Sequence, residues 1–486
     1  MKKLILLSTI FFLAFSFNSC KKFLDEKPVS EGIATEGSDS IPYKTASEVE
    51  AALAGVYAGF KNEYFELDYF VNGDAQSDDA YAGADNPANF QIDNFTIDAT
   101  NSNVSRDWAY LYSIIGNANI VINNARAVPD PALTEERKQE IVGEASFIRA
   151  FMYFQLVQQW GDVPLQLKEV RTISARILPE IYPILFPPRQ PVAEIYKQII
   201  ADLDTAILYV KPTAAHKGFA TTGAASSLLA KVYATQEPHD WAKVLQYCNA
   251  VVAGGYSLLP DYHMLWDNLH KNSEESIFEI NYTGGSTDGN WGASMFRGLD
   301  WKKFNIPSND LVKAFDQEQD TVRKAASIIF LDITGHWTDG NWPQTNYPFL
   351  NKWHNFEQGS NQNYIFIRLA DIILLKAEAL NETGDLSGAA TLVNQIRTRA
   401  KLANTPAATQ ADMRLAIEKE RRLELAFEGI RWFDLKRNGR AIEVMNNATG
   451  PGNVNLGYHL IQNRLVYPIP QAELDKNTKL IQNPGY

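Results

Sequence analysis

Residues 370–399 read Ala-Asp-Ile-Ile-Leu-Leu-Lys-Ala-Glu-Ala-Leu-Asn-Glu-Thr-Gly-Asp-Leu-Ser-Gly-Ala-Ala-Thr-Leu-Val-Asn-Gln-Ile-Arg-Thr-Arg. Apolar residues recur at three- and four-residue spacing on both sides of Gly384-Asp385, which ends one helix and opens another. Ala377 and Leu380 precede that turn and Ala389 opens the partner helix, so small residues fall where two antiparallel helices approach closely. Residues 223–253 repeat the arrangement, with Ala230 and Tyr233 before a turn and Ala242 opening a second helix. Two helix pairs of this kind predict an all-α scaffold built helix on helix.

The two pairs share their offsets with tetratricopeptide helix pairs. Helical periodicity starts near Ser47, read as an N-cap, and runs through Val49, Leu53, Val56 and Tyr57. Further helices are expected over 106–126, 134–160, 192–210 and 411–427. Thr134 caps the second of these, with Glu135 and Glu136 in its first turn; Gly161-Asp162-Val163-Pro164 stops it. Pro-rich residues 179–191 read as a crossing segment. Residues 62–104 carry Asn, Asp and Gly without sustained periodicity, and their aromatics (Tyr64, Phe65, Tyr69, Phe70, Tyr81, Phe90, Phe95) argue against disorder. Residues 255–365 are turn-rich, hold a short strand pattern at 277–282 and concentrate tryptophan. Ten Trp in a helical protein are more than its core needs, so their placement in polar loops calls for an explanation.

The N-terminus begins with Lys2 and Lys3, continues through apolar Leu4–Phe17 and reaches Asn18-Ser19-Cys20. That pattern reads as a secretory signal over 1–19, too short to span a bilayer. Cysteine directly after a small residue predicts a lipoprotein site with Cys20 acylated, although Phe17 stands where leucine is commoner; the alternative is an ordinary signal peptide with an incidental cysteine. Residues 20–45 then form a tether. A formal net charge of −12 offers no basic surface for phosphate, so nucleic acid is not an expected partner. Cys248, on a helical apolar face, reads as a buried inert thiol.

Little in the chain points to catalysis. The seven histidines are scattered without metal-ligand spacing, and no Gly-x-Ser-x-Gly elbow or phosphate loop appears; no metal and no cofactor are expected. Asp78 and Asp79 form a carboxylate pair that a glycosidase could use as acid and base, or that could accept hydrogen bonds from sugar hydroxyls without chemistry. A calcium site from Asp78, Asp79 and Asp85 has no matching loop spacing and is not favoured. Glu420, Glu424 and Glu428, interleaved with Arg421, Arg422 and Arg431, read as a salt-bridged helix face. Arg149 and Tyr153, one turn apart, read as packing and pairing groups. Exposed aromatic rings suit the apolar C–H faces of sugars, with Asn, Asp, Gln and Arg orienting the hydroxyls. Two stretches hold that mixture: Asp74-Ala-Gln-Ser-Asp-Asp-Ala-Tyr81 through Asn86 and Phe90, and Asn290-Trp291 through Trp301 to Trp337-Thr-Asp-Gly-Asn-Trp342. Trp291 and Trp353 are read first as rings pinning their own loops.

Several blocks together resemble one family. They are Glu144-Ala-Ser-Phe-Ile-Arg-Ala-Phe-Met-Tyr-Phe154 with Trp160-Gly-Asp-Val-Pro164, then Arg368-Leu-Ala-Asp-Ile, Ala377-Glu-Ala-Leu and Asn394-Gln-Ile-Arg-Thr-Arg-Ala. Glu420-Arg-Arg-Leu-Glu-Leu-Ala-Phe-Glu-Gly-Ile-Arg-Trp-Phe-Asp-Leu-Lys-Arg437, Tyr467-Pro-Ile-Pro470 and Gln482-Asn-Pro-Gly-Tyr486 complete the set. In this order they resemble the SusD/RagB family. The resemblance implies a SusD-like helical scaffold with tetratricopeptide-like pairs and a loop-rich ligand face. It further implies a non-enzymatic, lipid-anchored lipoprotein exposed at the outer-membrane surface, capturing oligosaccharides, or in some relatives peptides, for a SusC-like TonB-dependent transporter. On this basis the chain divides into 46–254, a loop-rich insertion at 255–365, and 366–486 packed with the first region as one unit. The ligand-binding candidates are Asp78, Asp79, Tyr81, Asn86, Phe90, Trp301, Trp337, Trp342 and Arg368, the last able to pair with Asp78 or a ligand.

Overall fold

Thr45, rather than Ser47, opens the first helix. Its hydroxyl accepts the Glu48 amide while the Glu48 carboxylate takes the Thr45 N–H, a closed capping box. This start lies close to the beginning of the chain described by the computed structural model, which covers residues 42–83, 86–170 and 176–486. The signal segment, residues 20–41 of the tether including Cys20, and Asp85 lie outside the described residues, while Thr45 at the tether's expected end already belongs to the first helix as its cap.

From Ala46–Ala58 the helices stack in sequence order. Ser102–Asn124 packs on the first helix and on Glu135–Trp160, which packs in turn on Val192–Tyr209. Val192–Tyr209 meets Thr222–Tyr233; that helix pairs with Trp241–Val252 across a short turn, and Leu369–Glu382 pairs likewise with Leu386–Arg399. Trp241–Val252 packs directly on Leu369–Glu382, so residues 253–368 form an excursion between two adjacent members of the array. Gln410–Glu424 closes the row against the last pair. Of the expected small residues, Ala230, Ala377 and Ala389 are fully buried, whereas Ala242 at the start of its helix is exposed. Thr134 caps the long helix through the Arg137 amide, and Gly161 ends it at φ +72, a conformation that favours glycine. Trp160 at its end is buried completely, its indole N–H given to the Pro468 carbonyl.

The excursion is rooted by an antiparallel strand pair, Ser276–Ile280 with Tyr364–Arg368, which sets Ser276 opposite Arg368 and Ile280 opposite Tyr364 with the register irregular on either side of Phe278. Short ribbons elsewhere join Ala80–Tyr81 to Ile306–Pro307, Ile328–Leu331 to Tyr347–Leu350, and Val163–Pro164 to Arg189–Gln190. The Pro-rich crossing segment contains an eight-residue helix, Leu178–Leu185, none of whose side chains is buried. Trp353 packs among Phe70, Phe296 and Tyr364 in the core, as a loop-pinning ring should.

Residues 62–104 correct the sequence reading. Tyr64–Asp68 and Val71–Ala75 are wide π turns with every side chain buried. Their i→i+5 hydrogen bonds, such as Gln76 N–H to the Val71 carbonyl at 3.1 Å, break the 3.6-residue spacing a helix would show. The second turn passes so near Gly429 that a Cβ on Gly73 would lie 2.1 Å from the Gly429 carbonyl oxygen. Gly429 itself has φ +71, and its N–H is shared by both Asp74 carboxylate oxygens at 3.0 Å. Two glycines at one crossing thus bring residues 74–81 against residues 422–431, chain neighbours only through the fold.

Candidate functional site

That crossing decides the fate of the predicted carboxylate pair. Arg431 Nε and Nη2 donate to the two oxygens of Asp78 at 2.8 and 2.9 Å, and Arg422 Nε donates to Asp79 at 2.7 Å. Arg422 also reaches the Asp78 carbonyl at 2.9 Å and Asp310 at 2.8 Å. Both aspartates are buried. Burial alone would raise Asp78, yet the Arg422 and Arg431 guanidiniums outweigh it and hold the carboxyl at about 2. Burial pushes Asp79 the other way, against the pull of Arg422 and with the Asp78 charge adding to it. The pair is therefore engaged by arginines, which leaves neither carboxylate placed as a free acid or base, while Asp78 still lines the cleft described below.

Arg368 receives a similar correction. Its side chain is 1% exposed and donates to Glu428 Oε2 at 2.8 Å, Glu424 Oε1 at 2.6 Å and Glu275 Oε1 at 3.0 Å; it reaches neither Asp78 nor the loop face. The charged residues of 420–437, split between the end of Gln410–Glu424 and the helix Arg431–Arg437, are salt-bridged as expected, but buried and paired with other segments rather than along one helix face. Glu420 pairs with Arg323 and Arg397, Glu424 with Arg368 and Arg399, and Arg421 with Asp371 and Asp434. Charges removed from water must find partners, and these come from distant segments. Arg149 pairs with Asp202, and Tyr153 donates to the Gln166 carbonyl, the packing roles expected. Cys248 is fully buried, and burial pushes its thiol up.

Asn86 and Trp342 also have local partners. Asn86 caps Pro87–Asp93, its Oδ1 accepting the amides of Ala88 and Asn89 at 3.0 and 3.3 Å. Trp342 gives its indole N–H to the Pro307 carbonyl at 3.1 Å and packs edge-on to Phe330, which pins its loop. Trp291, half-buried against the core, holds Glu66 through its backbone N–H.

Four predicted residues remain on an accessible face. Trp301 and Trp337 are 46% and 48% exposed. Their loops are stitched by Asp300, whose Oδ1 accepts the Trp337 amide at 3.3 Å and faces His336 Nδ1 at 3.1 Å. Lys302 lies over the Trp301 ring and Lys303 over that of Trp337, at 5.4 Å each, the latter amine also held by the Asp300 carbonyl. Asp339 links this platform to Tyr81: its Oδ2 accepts the hydroxyls of Tyr347 at 2.6 Å and Tyr81 at 3.0 Å, and Lys303 lies over the Tyr347 ring too.

Asp78, Tyr81 and Phe90 line a cleft of about 320 Å³, within the ~300–1,000 Å³ typical of ligand sites. The cleft also receives residues that sequence reasoning missed: Asp93, Asn309, Asp310, Asn341, Thr449 and Tyr458. Asn341 lay inside the flagged tryptophan segment. Thr449 and Tyr458 come from an irregular tail whose spacing carries no signal. Asp93 accepts the Ala82 amide at 3.1 Å and the Tyr458 hydroxyl at 3.3 Å, and burial pushes its carboxyl up to about 7. Among the described residues, no group of three His, Cys, Asp or Glu side chains is arranged to hold a metal ion.

A layered helical scaffold carrying a loop-built aromatic platform beside a polar cleft is the class of structure these observations define. Residues 330–486 match the SusD family, and residues 22–234 match the family described as starch-binding associating with outer membrane. A SusD-like protein of Formosa agariphila is 30% identical over 95% of this chain and 96% of its own. The starch-binding protein SusD of Bacteroides thetaiotaomicron is 23% identical over 78% of each chain. A solved laminarin-binding SusD-like protein, 27% identical, superposes with a TM-score of 0.74 over 91% of this chain and all of that one. The chain belongs to the SusD/RagB family.

Proposed function

We propose that this chain is a non-enzymatic glycan-capture protein, anchored by lipid at Cys20 to the outer-membrane surface, that delivers oligosaccharides to a SusC-like TonB-dependent transporter. The observation that carries the reading is the pair of half-exposed indoles, Trp301 and Trp337, held in adjacent loops by Asp300. Large apolar rings are normally buried; two rings held at the surface by charged and backbone groups offer flat area for stacking with little ordering cost. The names of the relatives, starch-binding and laminarin-binding, support the same ligand class. Asp78 and Asp79, the one carboxylate pair considered for hydrolysis, are occupied by arginines. Capture without cleavage, followed by hand-over, fits weak and rapidly reversible stacking.

The test is retention of soluble polysaccharides and of a peptide mixture by the purified protein, with product analysis of each ligand retained. Glycan retention without cleavage, lost in Trp301→Ala/Trp337→Ala, is the expected result. Retention of peptides alone would move the function to a peptide-capture lid. Release of shortened sugars would make the protein an enzyme.

A further inference from the structure

We infer that the cleft beside the tryptophan platform is a subsite for an uncharged sugar unit and discriminates against units bearing carboxylate or sulfate. This rests on the glycan-capture reading and adds the ligand's charge class. Three carboxylates line the cleft, those of Asp78, Asp93 and Asp310; no lysine, arginine or histidine is among its described lining residues. The nearest guanidiniums cannot turn toward an incoming anion. Arg431 is 6% exposed and closes a two-pronged pair with Asp78, while Arg422 is divided among Asp79, Asp310 and the Asp78 carbonyl. Asp78, Asp79 and Asp310 outnumber the two guanidiniums they bind, so an anionic sugar unit would meet a net excess of carboxylate and no cation free to pair with it, the arrangement by which interfaces reject wrong partners. A neutral unit meets what it needs. Tyr81, Phe90 and Tyr458 offer ring surface to its C–H faces, and Asn309, Asn341 and Thr449 offer amide and hydroxyl groups to its hydroxyls.

The platform's lysines stand outside the cleft lining. Lys302 and Lys303 lie over the indoles of Trp301 and Trp337, and the Lys303 amine is also held by the Asp300 carbonyl. Asp93, 7% exposed at the cleft wall, adds to the discrimination only when ionised: burial keeps its proton on up to about pH 7, and its contribution grows above that.

The experiment compares soluble starch, laminarin, galactan and mannan in three forms: native, C6-carboxylated and C6-carboxamide. Binding to the purified full-length protein is read by affinity electrophoresis at about 20 mM and about 500 mM salt. The expected result is that the carboxylated form of each retained polymer binds about tenfold or more weakly at low salt. That gap narrows at high salt, and the carboxamide, which changes the hydroxyl without adding charge, binds like the native form. At pH 8, where Asp93 is ionised, Asp93→Asn should narrow the gap further; the wild-type salt dependence decides the matter if that variant fails to fold. Carboxylated polymers binding as tightly as native ones, or a gap that salt leaves unchanged, would overturn the inference and leave glycan capture standing. Retention of no polymer in any form would remove the capture reading and the inference with it.

Discussion

Arg431 grips Asp78 with two parallel hydrogen bonds, Nε to Oδ1 at 2.8 Å and Nη2 to Oδ2 at 2.9 Å, across 353 positions of sequence. Both partners are buried, so the bond is a brace between the segment leading to the cleft and the last scaffold turn rather than a surface ornament. Removing one member of a buried pair strands the other, which typically costs ~3–5 kcal/mol. Arg422 still reaches Asp78 at 3.1 Å, so Arg431→Met should fall at the lower end, about 3 kcal/mol, in urea unfolding. A loss below about 0.5 kcal/mol would show that the brace is dispensable.

The same pair predicts an acid response. Asp78 is held at about 2, below its ordinary 3.8, so its stabilisation is present above 3.8 and is lost as pH falls through 2. In Arg431→Met the midpoint of acid unfolding should move upward. Far-UV circular dichroism against pH measures it, and an unmoved midpoint would contradict the assignment.

Asp93 works in the opposite sense. Its folded carboxyl is raised from 3.8 to about 7 by burial, so between those values the unfolded chain has already lost a proton that the folded one keeps. The stabilisation is whole below about 4 and declines as pH rises toward 7. Asp93→Asn keeps an acceptor for the Ala82 amide and removes the titration. Its denaturation midpoint, relative to wild type, should therefore improve on going from pH 5 to pH 8. A constant difference between the two proteins at both values would show that Asp93 does not titrate there.

The helical half of this protein was legible because its signals are local. Thr134, Gly161, Ala377 and Ala389 each act through neighbours within a turn or two, and each appears where spacing placed it. Residues 64–75 carry no helical period in the sequence because π turns abandon the 3.6-residue spacing while burying every side chain. Glu424 and Arg368 looked like surface and site residues because sequence shows charge but not burial; only the fold reveals that they neutralise one another. Trp301 and Trp337 were found as exposed rings since aromatics among Asn, Asp and Gly have no helical face to occupy. Tyr458 joins Asp93 across 365 positions, and no spacing rule reaches that far.

Gly73 should tolerate no side chain. A Cβ there would approach the Gly429 carbonyl oxygen to 2.1 Å, and backbone on backbone has no rotamer by which to yield. Gly73→Ala must separate the crossing that aligns residues 74–81 with residues 422–431. Destabilisation of ~2 kcal/mol or more is expected, accompanied by weakened glycan retention. Gly55, with nothing within 4 Å of an added Cβ, is the matched control, and Gly55→Ala should be neutral or slightly stabilising because it lies inside a helix. Equal thermal midpoints for the two variants would refute the crossing as a constraint.

Tyr347 separates the platform from the cleft experimentally. Its hydroxyl donates to Asp339 at 2.6 Å, and the same carboxylate oxygen accepts Tyr81 at 3.0 Å, so Asp339 is positioned by two phenols at once. Tyr347→Phe removes one donor and leaves the ring packed against Phe349 and under the Lys303 amine. The fold should lose only ~1 kcal/mol, the usual worth of one hydrogen bond. Glycan affinity should fall by a few-fold, through loosening of the loop that carries Trp337. Trp337→Ala removes the stacking surface itself: affinity should fall about tenfold, with little change in stability because the ring is half in solvent. The contrast is read by titrating one retained polysaccharide against both variants and following their thermal unfolding. Should Trp337→Ala unfold the protein as readily as it lowers affinity, the indole would be a structural pin like Trp342, and the platform would lose its claim to the ligand.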